Sequence, residues 1–145
     1  GKRFLFNNAH IAVWQQDDSD VSGVQSGWGV NASVSSVVDG QWLPFLRAAW
    51  AHEGGGLYEA SVSGGFGYQN KPGGNQLGFG INWGRPNSDT FGVDLDEQWI
   101  SETFYRVQLT ENFQITPSLQ LIANPALNPD RDAVALFGLR ARATF

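Results

Sequence analysis

Six charged side chains fall inside stretches that otherwise alternate apolar with small polar residues: Arg47, Glu59, Glu102, Arg106, Arg140 and Arg142. Charges in phase with such a pattern call for a wetted face rather than a packed one. Guanidinium and carboxylate groups supply directional, charge-assisted hydrogen bonds. Four of the six are basic and two acidic, so the face they share is net basic in a chain of net charge −5. Charges on such a face need water or partners. Arg140 and Arg142 are placed to ladder with acidic groups on neighbouring strands or on other parts of the chain. Two readings stand side by side. Either the six make weak, reversible hydrogen bonds to a solute, or they pair with one another and only set the field.

Other chemistry finds little support. The two histidines, His10 and His52, sit on different expected strands. His52 lies beside Glu53, but "HE" without a second histidine at helical spacing is not a zinc motif. With no cysteine there is no disulfide framework and no thiolate metal site. The glycine-rich "GGFGYQ" and "GFGINWG" lie within strands, not at a strand-to-helix turn, so they are not phosphate loops. Glycine there suits close strand packing or lumen space. "DDSD" at 17–20 has carboxylates for a divalent cation, yet it reads better as a solvated loop. Trp14 shares the parity of His10 and Gln16, which suits a ring stacked on a solute or an interfacial anchor. The expectation is no enzyme, no cofactor and no metal. The acidic balance also argues against nucleic acid, which asks for a basic patch.

These side chains must be positioned by strands. Period-two alternation recurs between turn signals along the chain and helical periodicity is almost absent. The expected strands, about eight, lie near 9–16, 27–38, 41–52, 57–69, 76–84, 98–110, 113–123 and 136–145. "DG" at 39–40 and "EN" at 111–112 are tight turns, and "NKPGG" at 70–74 is a short one. "QDDSDVSGVQS", "RPNSDTFGVDLDE" and "NPALNPDRD" are longer and acidic or proline-rich, and only "HEGGG" at 52–56 is short on their side. The expectation is a single all-β, antiparallel, up-and-down unit over 1–145, with short turns at one end and longer loops at the other. That asymmetry is the anatomy of a transmembrane β-barrel.

Alternation by itself fits a soluble sandwich as well as a membrane barrel, since both pair an oily face with a polar one. Mean hydropathy is −0.26, and no run approaches the ~20 apolar residues of a membrane helix. Three features favour an outward oily face. The polar face is rich in Gly, Ser, Asn and Gln. The rings Trp28, Trp42, Trp50, Tyr58, Tyr68, Trp83 and Trp99 cluster near strand ends, as interfacial belts do. The strands are long for a globular protein and match a tilted bilayer span. The opening "GKRFLFNNAH" has no initiator Met and no signal-peptide core. The expectation is a chain that has lost such a segment or is a piece of a longer one.

Residues 101–145 resemble the C-terminal end of the carbohydrate-selective porins of the OprB type. The resemblance rests on Glu102, Phe104, Tyr105 and Arg106, then Thr116, Pro117 and Gln120, then Asn124 and Pro125, then Gly138, Arg140 and the final Phe145. Upstream, "GWGVNAS" and "LRAAW" look like further strands of that family, more loosely. The resemblance implies a 16-stranded barrel in the outer membrane of Gram-negative bacteria, of which these strands are about half. It implies passive diffusion of monosaccharides such as glucose, and strand parity sets Arg47, Glu59, Glu102, Arg106, Arg140 and Arg142 as the expected lining of the lumen they would cross. It also implies outer-membrane lipid around the barrel and barrel-assembly machinery that reads Phe145, and it leaves a homotrimer open. The alternatives are a small outer-membrane barrel with a structural or binding role, and an outer-membrane hydrolase or acyltransferase, which would need a Ser–His pair.

Overall fold

The structure, a computed structural model, describes residues 7–21 and 23–144. It contains strands β1 (Asn8–Gln16), β2 (Gly27–Ser35), β3 (Trp42–Glu53), β4 (Tyr58–Gln69), β5 (Gln76–Pro86), β6 (Gln98–Thr110), β7 (Phe113–Ala123) and β8 (Ala133–Ala143). One short helix, α1 (Ser88–Phe91), lies between β5 and β6. The Asn87 side chain caps it by accepting from the Asp89 N–H, and Gly92 ends it in the left-handed region. The strands form one sheet in chain order, each antiparallel to the next, with β1 and β8 at its two edges.

The "DG" turn shows how the local sequence sets the register. Asp39 and Gly40 have φ of 53° and 69°, the successive positive values a tight hairpin demands. The Trp42 N–H donates to the Val38 carbonyl at 3.0 Å. β2 therefore ends at Ser35, earlier than the alternation implies, and Val38 meets Trp42 in an isolated bridge. The other connections at this end are 70–75 and 111–112. At the opposite end lie 17–26, 54–57, 87–97 and 124–132, so the expected asymmetry is present.

The pairing registers sort the side chains into two faces. One carries Ile11, Val13, Trp28, Val30, Leu46, Trp50, Val62, Phe66, Phe79, Ile81, Leu119, Leu121, Phe137 and Leu139. It has no packed core above it. Among the described residues the buried apolar side chains are small, Ala51 and Ala126 with Pro86 and Pro125, while Ile11 is 77% exposed, Phe137 85% and Leu139 77%. A soluble sandwich would cover this face with a second layer. An apolar sheet left bare to this extent has lipid as its solvent.

Aromatic rings band that face at both ends. By the long loops, Trp28 meets Trp50 edge-on at 4.9 Å, Trp50 stacks on His52 at 6.2 Å, and Trp83 stands opposite Trp99. By the short turns, Trp42 lies 4.6 Å from Tyr68 and 5.3 Å from Phe66. An amphipathic ring is most stable where hydrocarbon gives way to water.

Tyr58 leaves the belt that its parity predicts. β4 carries one extra residue there, since Tyr58 pairs with Pro86 and Ala60 with Arg85. Such a bulge reverses the facing of everything beyond it. The Tyr58 ring lies over Gly84, whose added Cβ would come 2.6 Å from it. Its hydroxyl accepts from the Gln98 side-chain amide. Tyr58 thus belongs to the polar face.

Candidate functional site

The second face gathers most of the charged residues singled out from the sequence. Arg47 on β3 stands between Ser33 of β2 and Ser63 of β4. Ser63 is opposite Asn82 of β5. The Asn82 amide donates to the hydroxyls of Ser61 and Ser63, each at 2.8 Å. Glu102 on β6 is opposite Gly80 and, on its other side, Gln120. Arg106 is opposite Gln76. On β8, Arg140 faces Thr116 and Arg142 faces Gln114. The pairs Phe104–Ser118 and Val107–Ile115 set Arg106 across from Thr116 as well. Arg106 and Arg140 therefore flank one threonine, with Arg142 one step along.

Around these residues the face is hollow. A concavity of about 500 Å³ is lined by Glu102, Phe104, Arg106, Thr116, Arg140 and Arg142, among others. A second, of about 340 Å³, is lined by Asn31, Ser33, Arg47, Ser61 and Ser63. The ion pairs formed among the described residues are Arg85 with Glu59 at 4.0 Å and Arg85 with Glu97 at 3.8 Å. Arg47, Arg106, Arg140, Arg142 and Glu102 make none. Arg106 Nε is buried without a hydrogen-bond partner among the described residues. The exposed guanidinium groups of Arg47, Arg140 and Arg142, held on a fixed wall, offer hydrogen bonds to whatever passes.

The register sets Glu59 apart from the other five. It is the extra residue of the β4 bulge and sits beside Arg85, whose guanidinium lies 5.7 Å from the Trp83 ring. Trp83 Nε1 donates to Glu97 at 2.8 Å. Glu59 so joins a charged cluster at the rim of the apolar face. Alternation reads straight through "LYEAS", and no residue in it signals the insertion.

The remaining sequence candidates are placed as follows. Trp14 lies on the polar face, its ring over Gly29 and against Gly54. His10 stands opposite Ser33 on the same face. Among the described residues no hydrogen bond joins a serine to a histidine, and His52 is stacked on Trp50 on the other face. Phe145 lies outside the described residues. Sequence parity assigned Asn82 to the polar face but gave no sign of its bridge between Ser61 and Ser63.

Three long-loop segments are tied together at the top of this wall. Gln98, 7% exposed, donates to the Tyr58 hydroxyl and accepts from the Ala126 N–H at 2.8 Å. The Asn124 amide donates to the Glu97 carbonyl at 3.1 Å, and the Thr90 hydroxyl to the Gly56 carbonyl at 2.8 Å.

This sheet resembles a solved structure, the high-pH structure of Pseudomonas putida OprB, with a TM-score of 0.64 and 16% sequence identity. The match covers 94% of this chain and 48% of that one, so this chain spans about half the length of the protein it resembles. At that identity the likeness concerns the fold, an up-and-down antiparallel porin sheet. No curated protein matches the chain in sequence. Residues 4–145 match the carbohydrate-selective porin, OprB family. Bare apolar face, banded rings, hollow polar wall and this match over nearly the whole chain agree: the chain belongs to the OprB family of carbohydrate-selective porins.

Proposed function

We propose that this sheet is part of the wall of an outer-membrane channel that passes monosaccharides such as glucose by passive, selective diffusion. The observation that carries the reading is the set Arg47, Glu102, Arg106, Arg140 and Arg142. These charges share one hollow face and, among the described residues, none is neutralised by an ion pair. Guanidinium and carboxylate groups exchange hydrogen bonds with sugar hydroxyls and so replace part of the hydration a sugar loses on entry. Each bond is weak in net terms, about 1 kcal/mol, because water competes for it. That weakness is what a channel needs, since a solute held tightly does not leave.

Glu59 takes no part in this wall and instead buttresses the rim through Arg85. Outer-membrane lipid covers the face of Phe137 and Leu139. The terminal Phe145 is read by the barrel-assembly machinery when the barrel is inserted. An eight-stranded barrel with a purely structural or binding role would need β1 to pair with β8. Both are edges here, which favours a wall continued by other strands.

The test is liposome swelling with the barrel that contains this chain. Glucose is expected to enter faster than charged solutes of matched size. Swelling that shows no dependence on sugar would refute the reading.

A further inference from the structure

Two phenylalanines stand on the polar face, where a porin wall has no packing need for them. Phe45 of β3 is opposite Gly65 of β4, and Phe104 of β6 is opposite Gly78 of β5. Between them Gly65 pairs with Gly80 and Gly67 with Gly78. An added Cβ at Gly65 would come 2.9 Å from Phe45 Cε1, and one at Gly80 would lie 3.8 Å from Phe45 Cζ. A Cβ at Gly78 would collide with the Phe104 ring itself. The two rings therefore reach toward each other over bare backbone. Both are half-buried.

Charged groups border this floor. The Arg47 guanidinium lies 5.7 Å from the Phe45 ring centroid. Glu102 is opposite Gly80. Arg106 follows Phe104 by two residues on the same face, its Nε buried without a hydrogen-bond partner among the described residues. Rings laid over glycines stabilise a sheet, which accounts for the side of each ring that faces down. It does not account for two half-buried rings set among two guanidinium groups and a carboxylate on a wetted wall.

We propose that Phe45 and Phe104 form a stacking platform for the apolar face of a neutral pyranose, with Arg47, Glu102 and Arg106 bonding its peripheral hydroxyls. A pyranose with equatorial hydroxyls presents axial C–H groups on a flat side, which suits an aromatic ring. An open-chain hexitol carries hydroxyls of the same kind but has no rigid apolar side. The platform selects the ring form of a sugar, which hydroxyl bonding alone does not do. This inference rests on the reading of the sheet as a sugar-permeable wall.

The experiment measures block of ion current through the barrel containing this chain, in planar bilayers, by glucose and by the hexitol glucitol. Wild type is expected to be blocked more tightly by glucose. Phe45→Leu and Phe104→Leu are expected to weaken glucose block about three- to tenfold and to weaken glucitol block far less. Variants that leave glucose block intact, or weaken both solutes alike, overturn the platform alone. If the leucine variants do not insert, the wild-type comparison decides, because equal block by the two solutes overturns the platform without any substitution. If glucose blocks neither wild type nor variants, the sugar-wall reading falls, and the platform with it.

Discussion

Leu119→Arg separates the two faces by free energy. Leu119 lies mid-strand in β7, opposite Thr103 and Phe137 on the apolar face. Its neighbour Gln120 points the other way, opposite Glu102 and Leu136. An arginine on the lipid side near the bilayer midplane costs about 2–4 kcal/mol. At ~1.4 kcal/mol per factor of ten, that is a shift of roughly 30- to 1,000-fold in the folding equilibrium. The same side chain at position 120 enters a wetted wall beside a carboxylate that has no ion pair among the described residues. Its expected cost is below about 1 kcal/mol. The assay is guanidinium unfolding of the reconstituted barrel in phospholipid vesicles, followed by tryptophan emission and heat-modified gel mobility. Equal costs at the two positions, or a larger cost at Gln120, would refute the assignment of faces and with it the argument that lipid solvates Phe137 and Leu139.

Two further predictions concern the scaffold. Asn82→Ala removes the donor that serves both Ser61 and Ser63, and at about 1 kcal/mol per bond it is expected to lower the unfolding free energy in the same assay by about 1–2 kcal/mol. Gly40→Val places a β-branched residue at φ 69° and is expected to cost about 1–3 kcal/mol, seen as slower insertion into vesicles, whereas Gly40→Asn, which tolerates that backbone region, is expected to slow it less.

Much of the fold could be read from alternation and turns. Trp28–Val34 and Leu77–Trp83 show an uninterrupted period of two, and the "DG" and "EN" turns fix which strands are neighbours. The two ring belts and the loop asymmetry then orient the faces. What escaped was local and depended on register. The β4 bulge turns Tyr58 inward and Glu59 to the rim, because inserting one residue leaves the pattern on either side intact. The glycines at 65, 78 and 84 read equally as close strand packing or lumen space. They are clearance for Phe45, Phe104 and Tyr58, whose rings arrive from neighbouring strands far away in sequence. The polar charges were assigned to one face by parity. That Arg106 and Arg140 flank a single threonine follows only from the pairing of three strands.

Gln98 joins Tyr58 to Ala126 from a nearly sealed position, and this has an evolutionary consequence. The spacing of these three loop segments is held by the roots of the loops rather than by their crowns. Residues such as Asp94, Asp96 and Asp130 are free to change under selection by whatever recognises the outside of the barrel. So long as Gln98, Tyr58 and Asn124 are kept, this end of the sheet keeps its shape while its loop surface is rewritten.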